Sequence, residues 1–69
     1  DLHELMRRYG GNEVAALAAY NAGPANADRW GGRDLTLAAI PLGETRGYVA
    51  EVLEKQRAYR DAYPKELGY

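Results

Sequence analysis

Apolar positions recur along this chain at the three- and four-residue spacing of α-helices, and turn-forming residues separate the recurring blocks. Glycine pairs or a Gly-Pro step close the first three blocks, and a proline follows the last. The pattern predicts four helices and no sheet, which is an all-α fold. The predicted helical pieces are Leu2 to Tyr9, Glu13 to about Ala22, a short turn at Pro24 to Trp30, and a long helix from Glu44 to about Tyr63.

The segment between the third and fourth blocks is harder to assign. Asp34 to Ile40 is predicted to be a short helix capped by Asp34, although so brief an apolar run also fits a strand. Pro41 closes the segment. Earlier in the chain, Asn12 is the expected N-cap of the second helix because a side-chain oxygen there can accept a free backbone N–H.

The second and fourth helices differ in the faces they should bury. The second has small or apolar residues on nearly every side, which indicates burial all round. The other helices look too few to cover it, so we expect exposed Ala, Leu and Val on one flank. The fourth helix carries one apolar stripe, made of Tyr48, Val49, Val52, Leu53, Tyr59 and Tyr63.

The amino-acid composition of the chain argues against several classes of function. The chain has 69 residues, no cysteine, one histidine and a net charge of -1. A chain this short is marginally stable alone, and its residues cannot assemble a zinc site, so no cofactor is expected. Balanced charge argues against a nucleic-acid partner. No apolar run approaches the ~20 residues that a transmembrane helix requires.

Two motifs carry a family resemblance. The first is AYNAGP, at Ala19 to Pro24 within YGGNEVAALAAYNAGPANADRW, and the second is IPLGETRGYV, at Ile40 to Val49. Together they resemble the C-terminal half of the catalytic domain of soluble (SLT) lytic transglycosylases. The resemblance implies a lysozyme-like helical fold, with residues 1–69 forming part of that domain. It also implies an origin in the cell envelope, by periplasmic location or export, or in a phage virion.

The resemblance implies a reaction as well as a fold. Such enzymes cleave the β-1,4 bond between N-acetylmuramic acid and N-acetylglucosamine in peptidoglycan and leave a 1,6-anhydro end. The resemblance also assigns residues to the glycan cleft. It implies that Tyr20 supplies a supporting hydroxyl near the reaction centre. The substrate-binding positions that it implies are Asn21, Ala22, Gly23, Glu44 and Tyr48. Each also has a plain structural interpretation: Tyr20 and Tyr48 as core aromatics, Asn21 as a helix-end cap, and Glu44 as a first-turn acid.

One part of the family pattern is absent. The catalytic glutamate of the family lies in an upstream Glu-Ser motif followed by Gly-Leu-Met-Gln, and neither occurs in this chain. Glu13 and Glu44 begin helices, where the charged carboxylate is favoured, whereas a general acid needs an apolar, partly dry pocket. We therefore expect the general acid to lie in a missing N-terminal half of the domain. A non-catalytic glycan-binding or assembly module and a hydrolytic lysozyme-like glycosidase are the alternatives.

Overall fold

The computed structural model describes residues 1–65 and contains four α-helices: α1 (Leu2–Arg8), α2 (Glu13–Ala22), α3 (Pro24–Trp30) and α4 (Gly43–Ala62). Two short 3-10 turns, Gly32–Asp34 and Leu37–Ala39, connect α3 to α4. No strand occurs within the described residues. The all-α prediction is confirmed, and the three predicted helices begin and end within one residue of the observed bounds of α1, α2 and α4. The predicted short turn from Pro24 to Trp30 is the helix α3. None of the described helices combines the length and the apolar character of a membrane-crossing segment.

Helix α2 lies at the centre and contacts α1, α3 and α4. Its middle residues, Ala15 to Ala19, are at most 3% exposed, so the expected flank of exposed apolar side chains is wrong. The reason is the size of the side chains. Four of these five residues are alanine, whose methyl group leaves little area to cover and lets neighbouring backbones approach closely. Three helices and the 3-10 segment therefore suffice to enclose them.

Local sequence signals set both ends of α2. The side-chain Oδ1 of Asn12 accepts the backbone N–H of Ala15 at 3.2 Å, which confirms the predicted N-cap. At the other end Gly23 adopts a φ of +96° and donates its N–H to the Ala19 carbonyl at 2.8 Å. Pro24 then opens α3, where its missing N–H costs no helical hydrogen bond.

The predicted helix from Asp34 to Ile40 is wrong. The segment forms two 3-10 turns separated by extended residues, and Thr36 precedes the second turn without a side-chain capping bond. A distant residue explains the difference. The amide Nδ2 of Asn12 donates to the carbonyl oxygens of Arg33 and Leu35, both at 2.9 Å, so these carbonyls are held away from a helical pattern.

Helix α4 packs along only part of its length. Val49 is fully buried and its neighbours Val52 and Leu53 are half-buried, but Tyr59 and Tyr63 are 56% and 49% exposed. The predicted apolar stripe therefore stops short of its last two members, whose rings contact each other with centroids 4.8 Å apart. At about 1.5 Å per residue, α4 is about twice as long as α2, so its last turns extend past the core.

A polar cluster ties the end of α1 to α3. Tyr9 is 2% exposed and donates its hydroxyl hydrogen to Asp28 Oδ1 at 2.9 Å, and Arg8 donates to Asp28 Oδ2 at 2.7 Å. The Tyr9 hydrogen bond, followed by that of Arg8, lowers the pKa of Asp28. Burial raises the pKa of Tyr9, and the same hydrogen bond adds to that shift.

Core packing predicts the effect of truncating Leu17. This side chain is 1% exposed, so Leu17→Ala should lower the free energy of unfolding by about 2–5 kcal/mol, through lost apolar contact and a residual cavity. Urea unfolding followed by circular dichroism measures the change. Leu42 is 50% exposed, and Leu42→Ala is the matched control, with an expected change within about 0.5 kcal/mol. Equal losses in the two variants would contradict this description of the core.

The Asp28 cluster predicts an acid-sensitive stability. Because folding lowers the pKa of Asp28, its contribution is present above the unfolded value of 3.8 and is lost as the pH falls through the folded pKa. We expect Asp28→Asn to lower the melting temperature at pH 7 and to shrink the difference between pH 7 and a pH of about 3. Asp34→Asn, at an exposed position, is the control and should keep the parent's pH dependence. An unchanged pH profile in Asp28→Asn would refute the assignment.

Candidate functional site

The two motif segments meet where α2 ends and α4 begins. The hydroxyl of Thr45, in the first turn of α4, donates to Oδ1 of Asn21, in the last turn of α2, at 2.8 Å. Thr45 is fully buried, whereas Asn21 is exposed. The hydrogen bond spans 24 residues of sequence and places the two predicted substrate-binding segments side by side.

Asn21 is not needed to cap α2. Gly23 closes the helix through its own backbone, and the side chain of Asn26 donates to the Ala22 carbonyl at 2.8 Å. These contacts exclude the plain interpretation of Asn21 as a helix-end cap. The amide NH2 groups of Asn12 and Asn26 donate to backbone carbonyls, but that of Asn21 has no partner within residues 1–65. Asn21 therefore offers a free donor at an exposed position.

Tyr20 lies on the surface beside Asn21. Its side chain is 61% exposed, so the alternative of a core tyrosine is excluded for this position. Among residues 1–65, the tyrosine hydroxyl that forms hydrogen bonds is that of Tyr9, to Asp28 and Pro24. The Tyr20 hydroxyl is thus available to an external group.

The backbone after Asn21 is open to close approach. Ala22 and Gly23 are half-buried; the side chain of Ala22 is a single methyl group, and Gly23 has no side chain. A Cβ atom added to Gly23 would meet no atom within 4 Å among the described residues, and the positive φ of +96° disfavours any other residue there. A ligand could therefore lie directly against this turn.

The first turn of α4 supplies the remaining predicted residues. Glu44 is exposed, adjoins Thr45 and forms no ion pair within residues 1–65, so its carboxylate is free to accept hydrogen bonds. Arg46, two residues on, donates to the carbonyl of Ile40 at 2.6 Å and so holds the chain that leads into α4. Tyr48 is half-buried and packs against the core, which agrees with its structural interpretation and leaves part of the ring accessible.

Thr45 is the residue of this region whose role the sequence did not reveal. Its hydroxyl does not cap α4, which has no side-chain capping bond. Its hydroxyl instead reaches across to α2. The sequence signal for Thr45 was its position inside the motif IPLGETRGYV. That signal does not identify its partner, because a contact with a residue 24 positions away leaves no pattern in local spacing.

The groups gathered here are an amide donor, a tyrosine hydroxyl, a carboxylate and an open glycine turn. Such groups suit hydrogen bonding to a neutral, hydroxyl-rich ligand. Among the described residues, no group of three or more His, Cys, Asp or Glu side chains is arranged to hold a metal ion.

Comparison with known proteins agrees with the two motifs. The family model described as the transglycosylase SLT domain matches residues 1–42. The chain is 38% identical over 66 residues to the soluble lytic murein transglycosylase of Salmonella typhimurium, and 36% identical over 66 residues to that of Escherichia coli. Each alignment covers 86% of the chain, so it extends beyond residue 42 into α4. No solved structure matches the chain significantly.

These matches cover most of this chain but only a small part of each relative. The chain spans about 10% of the length of each of these two curated relatives. The family model covers 42 of the 69 residues, including α1, α2 and α3, and with them the whole AYNAGP motif. On this match, the chain belongs to the transglycosylase SLT domain family.

Proposed function

We propose that this chain forms one wall of the glycan cleft of a peptidoglycan lytic transglycosylase. The parent enzyme would cleave the β-1,4 bond between N-acetylmuramic acid and N-acetylglucosamine and leave 1,6-anhydromuramic acid. The observation that carries the proposal is the Thr45 to Asn21 hydrogen bond, because it joins the two motif segments into one surface. Membership of the SLT family and the names of the relatives support the choice of substrate.

The reaction needs few groups from the protein. In an anhydro-forming cleavage the 6-hydroxyl of the muramic acid attacks its own anomeric carbon, so the nucleophile is held in place by the substrate itself. A second carboxylate of the enzyme is then unnecessary. One glutamic acid can protonate the leaving oxygen and then accept the proton of the 6-hydroxyl.

The residues of this chain would bind and orient the glycan. The exposed Tyr20 hydroxyl would point to the reaction centre, and the free Asn21 amide would hold an acetamido or hydroxyl group. The turn at Ala22 and Gly23 would let a sugar lie against the backbone. The carboxylate of Glu44 would accept hydrogen bonds from sugar hydroxyls, since charged acceptors form strong ones. Tyr48 would border the cleft with the accessible part of its ring.

We propose that the general acid lies in polypeptide outside these 69 residues. A carboxylic acid that donates a proton near neutral pH needs an apolar, partly dry site. Glu4, Glu44 and Glu51 are exposed instead. Glu54 is held by Arg57, which lowers its pKa, the wrong direction for an acid. The relatives are about ten times as long as the matched segment, which leaves ample chain to supply the missing group.

The proposed substrate places the parent protein at the cell envelope, in the periplasm or outside the cell, or on a phage particle that crosses the wall. Peptidoglycan is found there, and the relatives are named for action on murein.

A second candidate is a non-catalytic module that binds glycan or assists assembly on the same scaffold. The enclosure of α2 favours it. Residues Ala15 to Ala19 are covered by the described part of the chain itself, so this part of the core requires no upstream helix. The two candidates differ in one testable property, which is whether an acid is encoded in frame upstream.

The proposal predicts an inactive chain and an active extension. Incubated with purified sacculi, the 69-residue chain should release no anhydromuropeptides, because it holds no general acid. The same chain extended upstream to an in-frame Glu-Ser and Gly-Leu-Met-Gln segment should release them, as detected by mass spectrometry. Release by the 69-residue chain alone would contradict the assignment of the acid. A start codon or unrelated sequence immediately upstream would favour the second candidate.

In the extended protein, Tyr20 and Glu44 should affect different kinetic constants. Tyr20→Phe removes a hydroxyl near the reacting atoms and should lower kcat by about tenfold or more with little change in KM. Glu44→Gln weakens binding in ground state and transition state alike and should raise KM about three- to tenfold. Tyr63→Phe, at an exposed position near the end of α4, is the control. Parent-like kinetics in both site variants would count against the assigned roles.

A further inference from the structure

We propose that Thr45 is a positioning residue that fixes the orientation of the Asn21 side-chain amide. Its hydroxyl holds Oδ1 of Asn21 inward, so that the NH2 group faces the ligand. The inference rests on the proposed function for the identity of the ligand, but the orientation itself follows from burial and hydrogen bonding.

The burial of Thr45 determines where its hydroxyl hydrogen goes. The side chain is fully buried, and within residues 1–65 its hydroxyl has one hydrogen-bond partner, Asn21 Oδ1 at 2.8 Å. A buried hydroxyl whose hydrogen lacks an acceptor is strongly disfavoured. If the amide of Asn21 were turned over, its NH2 would meet the Thr45 oxygen and the hydroxyl hydrogen would have no acceptor. The buried hydroxyl therefore selects one of the two amide orientations.

The other two asparagines of the chain show the opposite arrangement. Asn12 donates its NH2 group to the carbonyls of Arg33 and Leu35, and Asn26 donates to the carbonyl of Ala22. Both asparagines therefore use their N–H donors in hydrogen bonds within the fold. Asn21 is bonded through its oxygen and keeps its donors free at an exposed position. The hydrogen bond to Thr45 thus orders the Asn21 side chain, and the polar group that Asn21 exposes is a hydrogen-bond donor only.

This arrangement defines what the site can recognise at Asn21. The outward group is an N–H donor, so the matching ligand atom is an acceptor, such as the carbonyl oxygen of an acetamido group. Asp at this position could still accept the Thr45 hydrogen but would present a second acceptor outward. Residue 21 therefore has two separable roles: it accepts the Thr45 hydrogen bond, and it donates a hydrogen bond to a ligand. Different substitutions can test each role.

The orientation is tested by side-chain dynamics of the free chain. The sequence contains three Asn and one Gln, so a 15N-labelled sample gives four side-chain NH2 pairs. Asn12 and Asn26 are internal references for hydrogen-bonded amides. The half-buried Gln56, which has no side-chain hydrogen bond within residues 1–65, is the reference for an amide without one. We expect the order parameter of Asn21 Nδ2 to match that of Asn26 in the parent chain.

Two variants of Thr45 distinguish positioning from a general structural role. Thr45→Val keeps the shape but removes the hydroxyl, and should reduce the Asn21 order parameter below about 0.6 while leaving Asn12 and Asn26 unchanged. Thr45→Ser restores the hydroxyl and should restore the order of Asn21. The inference is overturned if Asn21 is as mobile as Gln56 in the parent chain, or if Thr45→Val leaves its order parameter unchanged.

The outward donor is tested with glycan. A β-1,4-linked tetramer of N-acetylglucosamine is titrated into the upstream-extended protein and into its Asn21→Asp variant, whose folding is confirmed by circular dichroism. We expect at least about tenfold weaker binding by Asn21→Asp, since a carboxylate repels the acceptor that the amide engaged. Equal binding by the two would overturn the donor assignment. An upstream-extended protein that binds no glycan, beside a parent chain with an ordered Asn21, would reject the proposed function and leave the positioning role supported.

Discussion

Close packing around α2 is the constraint on which the rest of this structure depends. The helix presents methyl groups where most helices present larger side chains, so α1, α3 and α4 all contact it closely. The contact with α4 matters most for the candidate site, because it brings the buried hydroxyl of Thr45 within hydrogen-bonding distance of Asn21. Larger residues in place of Ala16 or Ala18 would force the helices apart and break that contact.

The candidate site follows from how α2 ends. A glycine in the left-handed region and a proline stop the helix without using the Asn21 side chain, and Asn26 satisfies the Ala22 carbonyl. Asn21 is therefore available both to Thr45 and to a ligand. Under our proposal, these groups would hold a glycan beside a general acid supplied by polypeptide outside these 69 residues.

Features encoded by neighbouring residues could be predicted from the sequence, and features set by distant contacts could not. The helix ends at Asn12 and Gly23 follow from capping and backbone preferences, and both were predicted. The segment after α3 was mispredicted because Asn12 binds its carbonyls from more than twenty residues away. The motif resemblance indicated Tyr20, Asn21 and Glu44 as site residues, and their roles stay predictions. The contact through Thr45 could not be predicted, since no periodic pattern in the sequence links the end of one helix to the start of another.

The most direct test of the central claim is chemical-shift mapping of the 15N-labelled chain with a peptidoglycan tetrasaccharide of alternating N-acetylglucosamine and N-acetylmuramic acid. If the end of α2 and the start of α4 form one glycan surface, backbone shifts should concentrate at residues 20–23 and 44–48 together and rise in parallel with glycan concentration. Shifts confined to one of these two segments, or located on α1, α3 or the last turns of α4, would contradict the account.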